Sequence, residues 1–179
     1  MRVIAGTLGG RNFDSPHGHR THPMSDKMRG ALFNALGDID GLTVLDAFAG
    51  TGALSFEALS RGAAQALAIE QDHAAQLIIA ANLKNLGLNG KIKLVKANAS
   101  GWSDNNLATQ FDLILADPPY DHLQPELLQK LIRHLAPAGT YVLSWPSQQA
   151  VPKLAGLQQI SQKSYGDSQL VFYKHGSPL

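Results

Sequence analysis

The chain predicts an α/β protein: a seven-stranded mixed sheet with helices on both faces, preceded by a small N-terminal β-hairpin and helix. Three observations carry that reading. From residue 42 onward, short apolar runs alternate with segments of helical period, the pattern of parallel strands joined by crossover helices. Two strand-like runs close the sequence, near enough to pair as an antiparallel hairpin. The 179 residues are 44% hydrophobic and 16% charged, which suits one ordinary core and excludes a disordered or fibrous chain.

Taken in order, residues 2–15 read as the hairpin, "RVIAG" and "RNFDS" around Gly9-Gly10. Residues 16–24, "PHGHRTHPM", form a polar loop bounded by prolines. A helix follows, with Ser25 as N-cap and Asp26 near the positive end of its dipole. Met28, Ala31, Leu32, Ala35 and Leu36 recur along one face, and Gly37 stops it. Next come a strand, "LTVLDAF", and a helix, "ALSFEALSRG", ending at Gly62. "AQALAIE" is the second strand, and a long helix runs from about Asp72 to Leu86. "KIKLVKA" is the third, followed by a helical or loop segment over 100–108. "DLILAD" is the fourth, and the helix after it puts Leu127, Leu128, Leu131, Ile132 and Leu135 on one face. "TYVLSW" is the fifth, and "LQQISQKSY" with "SQLVFYK" makes the closing hairpin. Residues 1–40 form an extension and 41–179 the sheet domain.

No apolar run approaches the roughly 18 residues of a membrane span, and the N-terminus lacks the apolar region of a secretory signal. Cysteine is absent, so disulfides and thiolate metal sites are excluded. A cytoplasmic, monomeric protein is expected, with no membrane partner. Seven histidines show no metal-ligand spacing, and no metal is expected. Net charge is only +1, but residues 1–30 hold Arg2, Arg11, Arg20, Lys27 and Arg29 against Asp14 and Asp26, a net +3. The remaining 149 residues hold 10 basic and 12 acidic groups, a net −2. A basic leader on a near-neutral body suits a polyanion contact, and equally a solvated surface strand.

In open parallel sheets, ligands sit beyond the carboxyl ends of the strands. The first strand ends in "VLDAFAGTGAL", where Gly50 and Gly52 let backbone approach a ligand closely and helix N–H groups face it. Glu70 closes the second strand, where an acid can accept the hydroxyls of a ribose. The dinucleotide fingerprint needs a third glycine, and Ser55 stands there instead. Asp46, just before the loop, is badly placed for a pyrophosphate and well placed for a cationic amine. S-adenosylmethionine carries an ammonium, a sulfonium, a ribose and an adenine, and no phosphate. Asp46 for the methionyl end, Glu70 for the ribose and Asn98 for the adenine edge fit that molecule.

The fourth strand ends in Asp117-Pro118-Pro119-Tyr120. Each proline holds the residue before it extended, and neither offers an N–H, so a carbonyl can face a substrate outside any ladder. Tyr120 offers a flat face for a base. The amino group of a purine is a weak nucleophile because its lone pair is delocalised into the ring. Acceptance of its two N–H bonds by the Asp117 carboxylate and the Pro118 carbonyl would draw the nitrogen out of conjugation and stabilise its growing charge. Trp102 and Trp145 read as packing groups, and Lys91, Lys93 and Lys96 as an exposed strand edge.

With these residues assembled, the chain resembles the RsmD family, bacterial 16S ribosomal RNA guanine-N2 methyltransferases of the guanine-966 type. The resemblance runs through "MRVIAGTLGGRNF", "SDKMRGALFNAL", "LDAFAGTGALSFEALSRGA", "IEQD" and "ADPPY". It implies a Rossmann-like class I methyltransferase fold and methyl transfer from S-adenosylmethionine to a guanine amine. The implied cofactor residues are Asp46, Ala49, Gly50, Gly52, Glu70, Asn98 and Asp117. The implied catalytic loop is Asp117, Pro118, Pro119 and Tyr120, and the basic leader would meet 16S rRNA or the assembling small subunit. Two departures fall in that leader: His22-Pro23-Met24 replaces the usual Arg-Pro-Thr, and Arg29-Gly30 replaces Arg-Glu. The loop would equally serve adenine N6 in DNA or RNA, or a protein amide. A non-catalytic RNA-binding or ribosome-assembly module on the same scaffold is the alternative of another class.

Overall fold

A computed structural model describes residues 1–16 and 23–177. The predicted polar loop, with Arg20 and His22, thus lies largely outside the described residues. Helix α1 (Asp26–Leu36) starts where Ser25 accepts the Met28 N–H and stops at Gly37, whose φ of 73° suits a residue with no Cβ. The alternation then runs β1 (Thr43–Asp46), α2 (Ala53–Ser60), β2 (Gln65–Glu70), α3 (His73–Asn85), β3 (Ile92–Lys96), α4 (Ala99–Asn105), β4 (Phe111–Ala116) and α5 (Pro125–Leu131). A 3-10 turn, Ile132–His134, leads into β5 (Leu135–Pro146), and β6 (Leu157–Tyr165) and β7 (Ser168–His175) end the sheet.

The strand order is β3-β2-β1-β4-β5-β7-β6. Strands β1 to β5 pair in parallel, and β7 inserts antiparallel between β5 and β6. The order reverses between β1 and β4, the switch point where such sheets open a ligand crevice. Register puts Asp46 opposite Ala68 on β2 and Leu115 on β4, so the ends of the three central strands lie together. One core cluster packs the leader, α1, α2 and α3 on one face, through residues such as Val3, Leu32, Phe56 and Ile79. The other packs α4 and α5 on the opposite face, through Trp102, Leu128, Leu131 and Trp145. Both tryptophans are thus packing groups.

Three expectations are corrected. The N-terminal hairpin is present but short: Arg2 bridges Asn12, with the Val3 and Phe13 N–H groups donating to the Arg11 and Met1 carbonyls at 2.9 Å, and the pairing does not reach residues 4–8. The N–H groups that would extend it go elsewhere: Ile4 and Ala5 donate to Glu57, Thr7 to the Ser60 carbonyl and Leu8 to the Ser60 hydroxyl. The fifth helix does not reach Leu135, because the chain tightens into the 3-10 turn and Leu135 already pairs with Phe111. Strand β5 therefore begins five residues before "TYVLSW", with a register irregularity between Phe111 and Leu113.

Candidate active site

The glycine loop owes its shape to two different needs. Gly52 caps α2 with φ 81°, and a Cβ there would meet the Phe56 ring at 2.6 Å. Gly50 has φ 56°, and a Cβ there would find no atom nearer than the Phe48 carbonyl oxygen at 4.0 Å. Gly52 thus seats the loop on the core, whereas Gly50 faces open space that a ligand can enter. Ala49 is buried and donates its N–H to the Ile69 carbonyl at 2.9 Å, tying the loop to β2.

Asp46 ends β1 at the switch point of the sheet. It is 0% exposed; Ser55 Oγ donates to its Oδ2 at 2.7 Å, while Oδ1 has no hydrogen-bond partner. Burial pushes the carboxyl up to about 7, with the Asp117 charge adding to the rise and the Ser55 bond opposing it. A buried acceptor without a donor is costly, and an ammonium group satisfies it while neutralising the charge. The residue at the missing third glycine therefore has a role, as the single side chain among the described residues that holds Asp46.

Glu70 uses its carboxylate to brace the loop: Oε2 accepts the Gly50 N–H at 2.7 Å and Oε1 the Asp72 N–H at 2.7 Å. Each oxygen keeps a second lone pair for a ribose hydroxyl. Asn98 caps α4, its Oδ1 accepting the Gly101 N–H at 2.7 Å. That cap leaves the Nδ2 donor for a base, so Asn98 suits an acceptor ring nitrogen better than an amino group.

Asp117 follows directly on β4, beside β1 and hence beside Asp46. Burial pushes its carboxyl up to about 6, with the neighbouring Ser144 hydroxyl acting to lower it. Pro118 is buried, Pro119 is exposed, and the Pro119 carbonyl accepts the His122 N–H at 3.1 Å to close the turn. Tyr120 is 37% exposed, with its hydroxyl 2.6 Å from Ser144 Oγ. Sequence alone gives Ser55 and Ser144 no role in the site. Ser55 left a signal in the broken glycine pattern, and Ser144 only in a hydroxyl near the end of an apolar strand.

The basic leader divides. Arg29 is 0% exposed, donating to the Arg2 and Met24 carbonyls and to Asp26. A guanidinium held inside the protein cannot reach a phosphate, and the expected nucleic-acid role of Arg29 is corrected to a structural one. Arg2 and Lys27 are exposed, Arg2 pairing with Asp26 at 3.0 Å; exposed Arg11 donates to the Asn85 carbonyl at 2.6 Å. Among the described residues, no group of three His, Asp or Glu could hold a metal ion, and no helix is long and apolar enough to cross a membrane.

Comparison with known proteins agrees with this geometry. The family described as "Conserved hypothetical protein 95" matches residues 1–174. The chain is 32% identical over 181 residues to YlbH of Bacillus subtilis, named as a candidate rRNA methyltransferase, covering 97% of this chain and 98% of that one. It is 37% identical over 121 residues to ribosomal RNA small subunit methyltransferase D of Escherichia coli K12, covering 67% of this chain and 60% of that relative's length. A solved Escherichia coli structure, yhhF, described as a candidate methyltransferase, superposes with a TM-score of 0.88 at 31% identity over 99% of both chains.

Proposed function

The chain belongs to the family described as conserved hypothetical protein 95, the RsmD family of class I methyltransferases, and from that premise we propose that it methylates the N2 amine of a guanine in 16S ribosomal RNA, of the guanine-966 type. The methyl donor is S-adenosylmethionine. One juxtaposition carries the reading: a buried carboxylate with an unpartnered oxygen, Asp46, at the end of β1, beside Asp117-Pro118-Pro119-Tyr120 at the end of β4. The first suits a cationic amine on the cofactor and the second a planar amine on a base. The relatives whose names specify ribosomal RNA support the choice of substrate.

When bound, S-adenosylmethionine supplies an electrophilic methyl group on a sulfonium. Asp46 would hold its ammonium, Glu70 would accept from its ribose, Asn98 would donate to its adenine, and the loop of Ala49, Gly50 and Gly52 would bring backbone against it. Asp117 and the Pro118 carbonyl accept the two N–H bonds of the guanine amine, while the Tyr120 ring stacks on the base. Positive charge growing on the nitrogen meets the Asp117 carboxylate, so this electrostatic gain is larger in the transition state than in the ground state. The surplus proton passes to Asp117, whose raised pKa makes it a better acceptor than an exposed aspartate. Arg2, Arg11, Arg20 and Lys27 supply phosphate contacts that fix the RNA without reading it.

The test is incorporation of labelled methyl into small-subunit RNA, free and in particles, followed by nucleoside analysis. N2-methylguanosine is the expected product. N6-methyladenosine would change the acceptor, and cofactor binding without incorporation into any RNA would overturn the reading.

A further inference from the structure

Ser144 lies on β5, 3% exposed, in a strand whose neighbours Val142, Leu143 and Trp145 are buried apolar groups. Ala116 on β4 pairs with Leu143 on β5, so the next positions along these parallel strands are Asp117 and Ser144. The Tyr120 hydroxyl reaches back to Ser144 Oγ at 2.6 Å. A serine hydroxyl offers one donor and two acceptor sites. It can accept from Tyr120 and donate to Asp117 at once.

We infer that Ser144 is a positioning residue for methyl transfer, joining the Tyr120 phenol to the Asp117 carboxylate and fixing the loop between them. The inference rests on Asp117 being the amine acceptor. Five residues lie between Ala116, the end of β4, and His122, whose N–H closes the turn, and Pro118 and Pro119 contribute no N–H to hold them. A buried hydroxyl on the adjacent strand provides the missing tether. It fixes the direction in which the carboxylate presents its free lone pairs, and it sets the tilt of the ring that stacks on the base. The neighbouring Ser144 hydroxyl lowers the Asp117 carboxyl against the rise caused by burial, with Asp46 on β1 and Tyr120 on the loop the other ionisable groups beside it. It thereby favours the ionised, accepting form near neutral pH. A hydrogen bond to a charged group governs about a tenfold change in rate when it is lost.

Ser144→Ala and Ser144→Thr are compared with the wild type. In Ser144→Ala, kcat should fall about tenfold while the Kd for S-adenosylmethionine stays within about twofold, and Ser144→Thr should recover most of the loss. Hydrogen exchange in the free protein gives a readout independent of turnover. The His122 amide should exchange several-fold faster in Ser144→Ala, with the β4 amides unchanged. Unchanged kcat and unchanged His122 exchange in Ser144→Ala would overturn the inference, as would an equal fall in both variants. If the wild type itself methylates no RNA, the proposed function fails and the exchange measurement alone decides the role of Ser144.

Discussion

Two buried charges sit on opposite flanks of α2, and their surroundings differ in kind. On the leader side, Glu57 is 0% exposed and accepts from the Ile4 N–H at 2.8 Å, the Ala5 N–H at 3.1 Å and Arg61 Nε at 2.7 Å, with Arg29 Nε 3.9 Å away. On the crevice side, Asp46 is equally buried and has one partner, Ser55. The first carboxylate is used up by the fold, which explains why the leader lies against α2 instead of extending as a hairpin. The second keeps an oxygen unpartnered and is left for something the chain does not supply. Arg29 Nε also lacks a hydrogen bond, but it faces the Glu57 charge at 3.9 Å, whereas Asp46 faces no counter-charge among the described residues. A buried charge marks a ligand site when the fold leaves it without one, and burial alone does not distinguish the two cases.

The strongest way to break that contrast is to make the leader side incomplete as well. Glu57→Ala strands Arg29 inside the protein and frees the N–H groups of residues 4 and 5. A loss of about 3 to 5 kcal/mol is expected, visible as a fall in Tm of order 10 °C. Denaturant and thermal unfolding would check it, and a change below 1 kcal/mol would show that the leader is not held through Glu57. On the crevice side the corresponding loss is in rate. Asp117→Ala removes the acceptor proposed for the base amine, whose gain would be realised in the transition state, so kcat should fall at least about a hundredfold. Calorimetry should show S-adenosylmethionine affinity changed far less.

The next effect uses the pH dependence that the contrast implies. Asp46 is raised from 3.8 to about 7 in the folded protein, so between those values the folded state holds a proton that the unfolded state has released. Stability of the free protein should therefore fall as pH rises from 4 to 7, by about 2 to 4 kcal/mol, and level off above. An acid lowered by a salt bridge gives the opposite slope. Cofactor affinity should rise over the same range, because the ammonium favours the ionised carboxylate. Asp46→Asn should flatten the cofactor profile and remove the stability change between pH 6 and 7, leaving below it the smaller slope of Asp117, which is raised to about 6. It should also raise Tm at pH 8 and weaken the cofactor about tenfold. Unfolding and titration across pH 5 to 8 would reveal either profile.

Much of this contrast was open to sequence reasoning, and the missing part has a physical cause. Local rules located α1 through Ser25 and Gly37, and the alternation from residue 42 gave the parallel sheet and its closing hairpin. The residues at the ends of β1, β2 and β4 followed, because an open sheet dictates where its ligands sit. The burial of Arg29 is not legible in the sequence, because charge is read there and burial is not: the run Lys27, Met28 and Arg29 does not say which side Arg29 turns to. Glu57 passed unnoticed for the same reason, in a helix otherwise read as apolar. Ser55 and Ser144 act through tertiary partners nine and 24 residues away, a distance over which no periodicity carries information.

Lys27 and Arg29 allow the smallest and most selective test, since both stand on α1 within the basic leader. Lys27 is exposed, while Arg29 is inside. A side chain that meets only phosphate contributes one counterion's worth of salt dependence and little to folding. Lys27→Ala should therefore leave stability within about 0.5 kcal/mol, weaken RNA binding a few-fold, and reduce the slope of log K against log salt by about 1. Arg29→Ala should do the converse, lowering Tm by several degrees through loss of its bonds to Asp26 and the Arg2 and Met24 carbonyls. Its salt slope at a temperature where it stays folded should match the wild type, because an interior guanidinium releases no counterion from RNA. A reduced slope in Arg29→Ala with unchanged Tm would mean that α1 turns over to meet RNA, and that the leader is less fixed by Glu57 than its hydrogen bonds require.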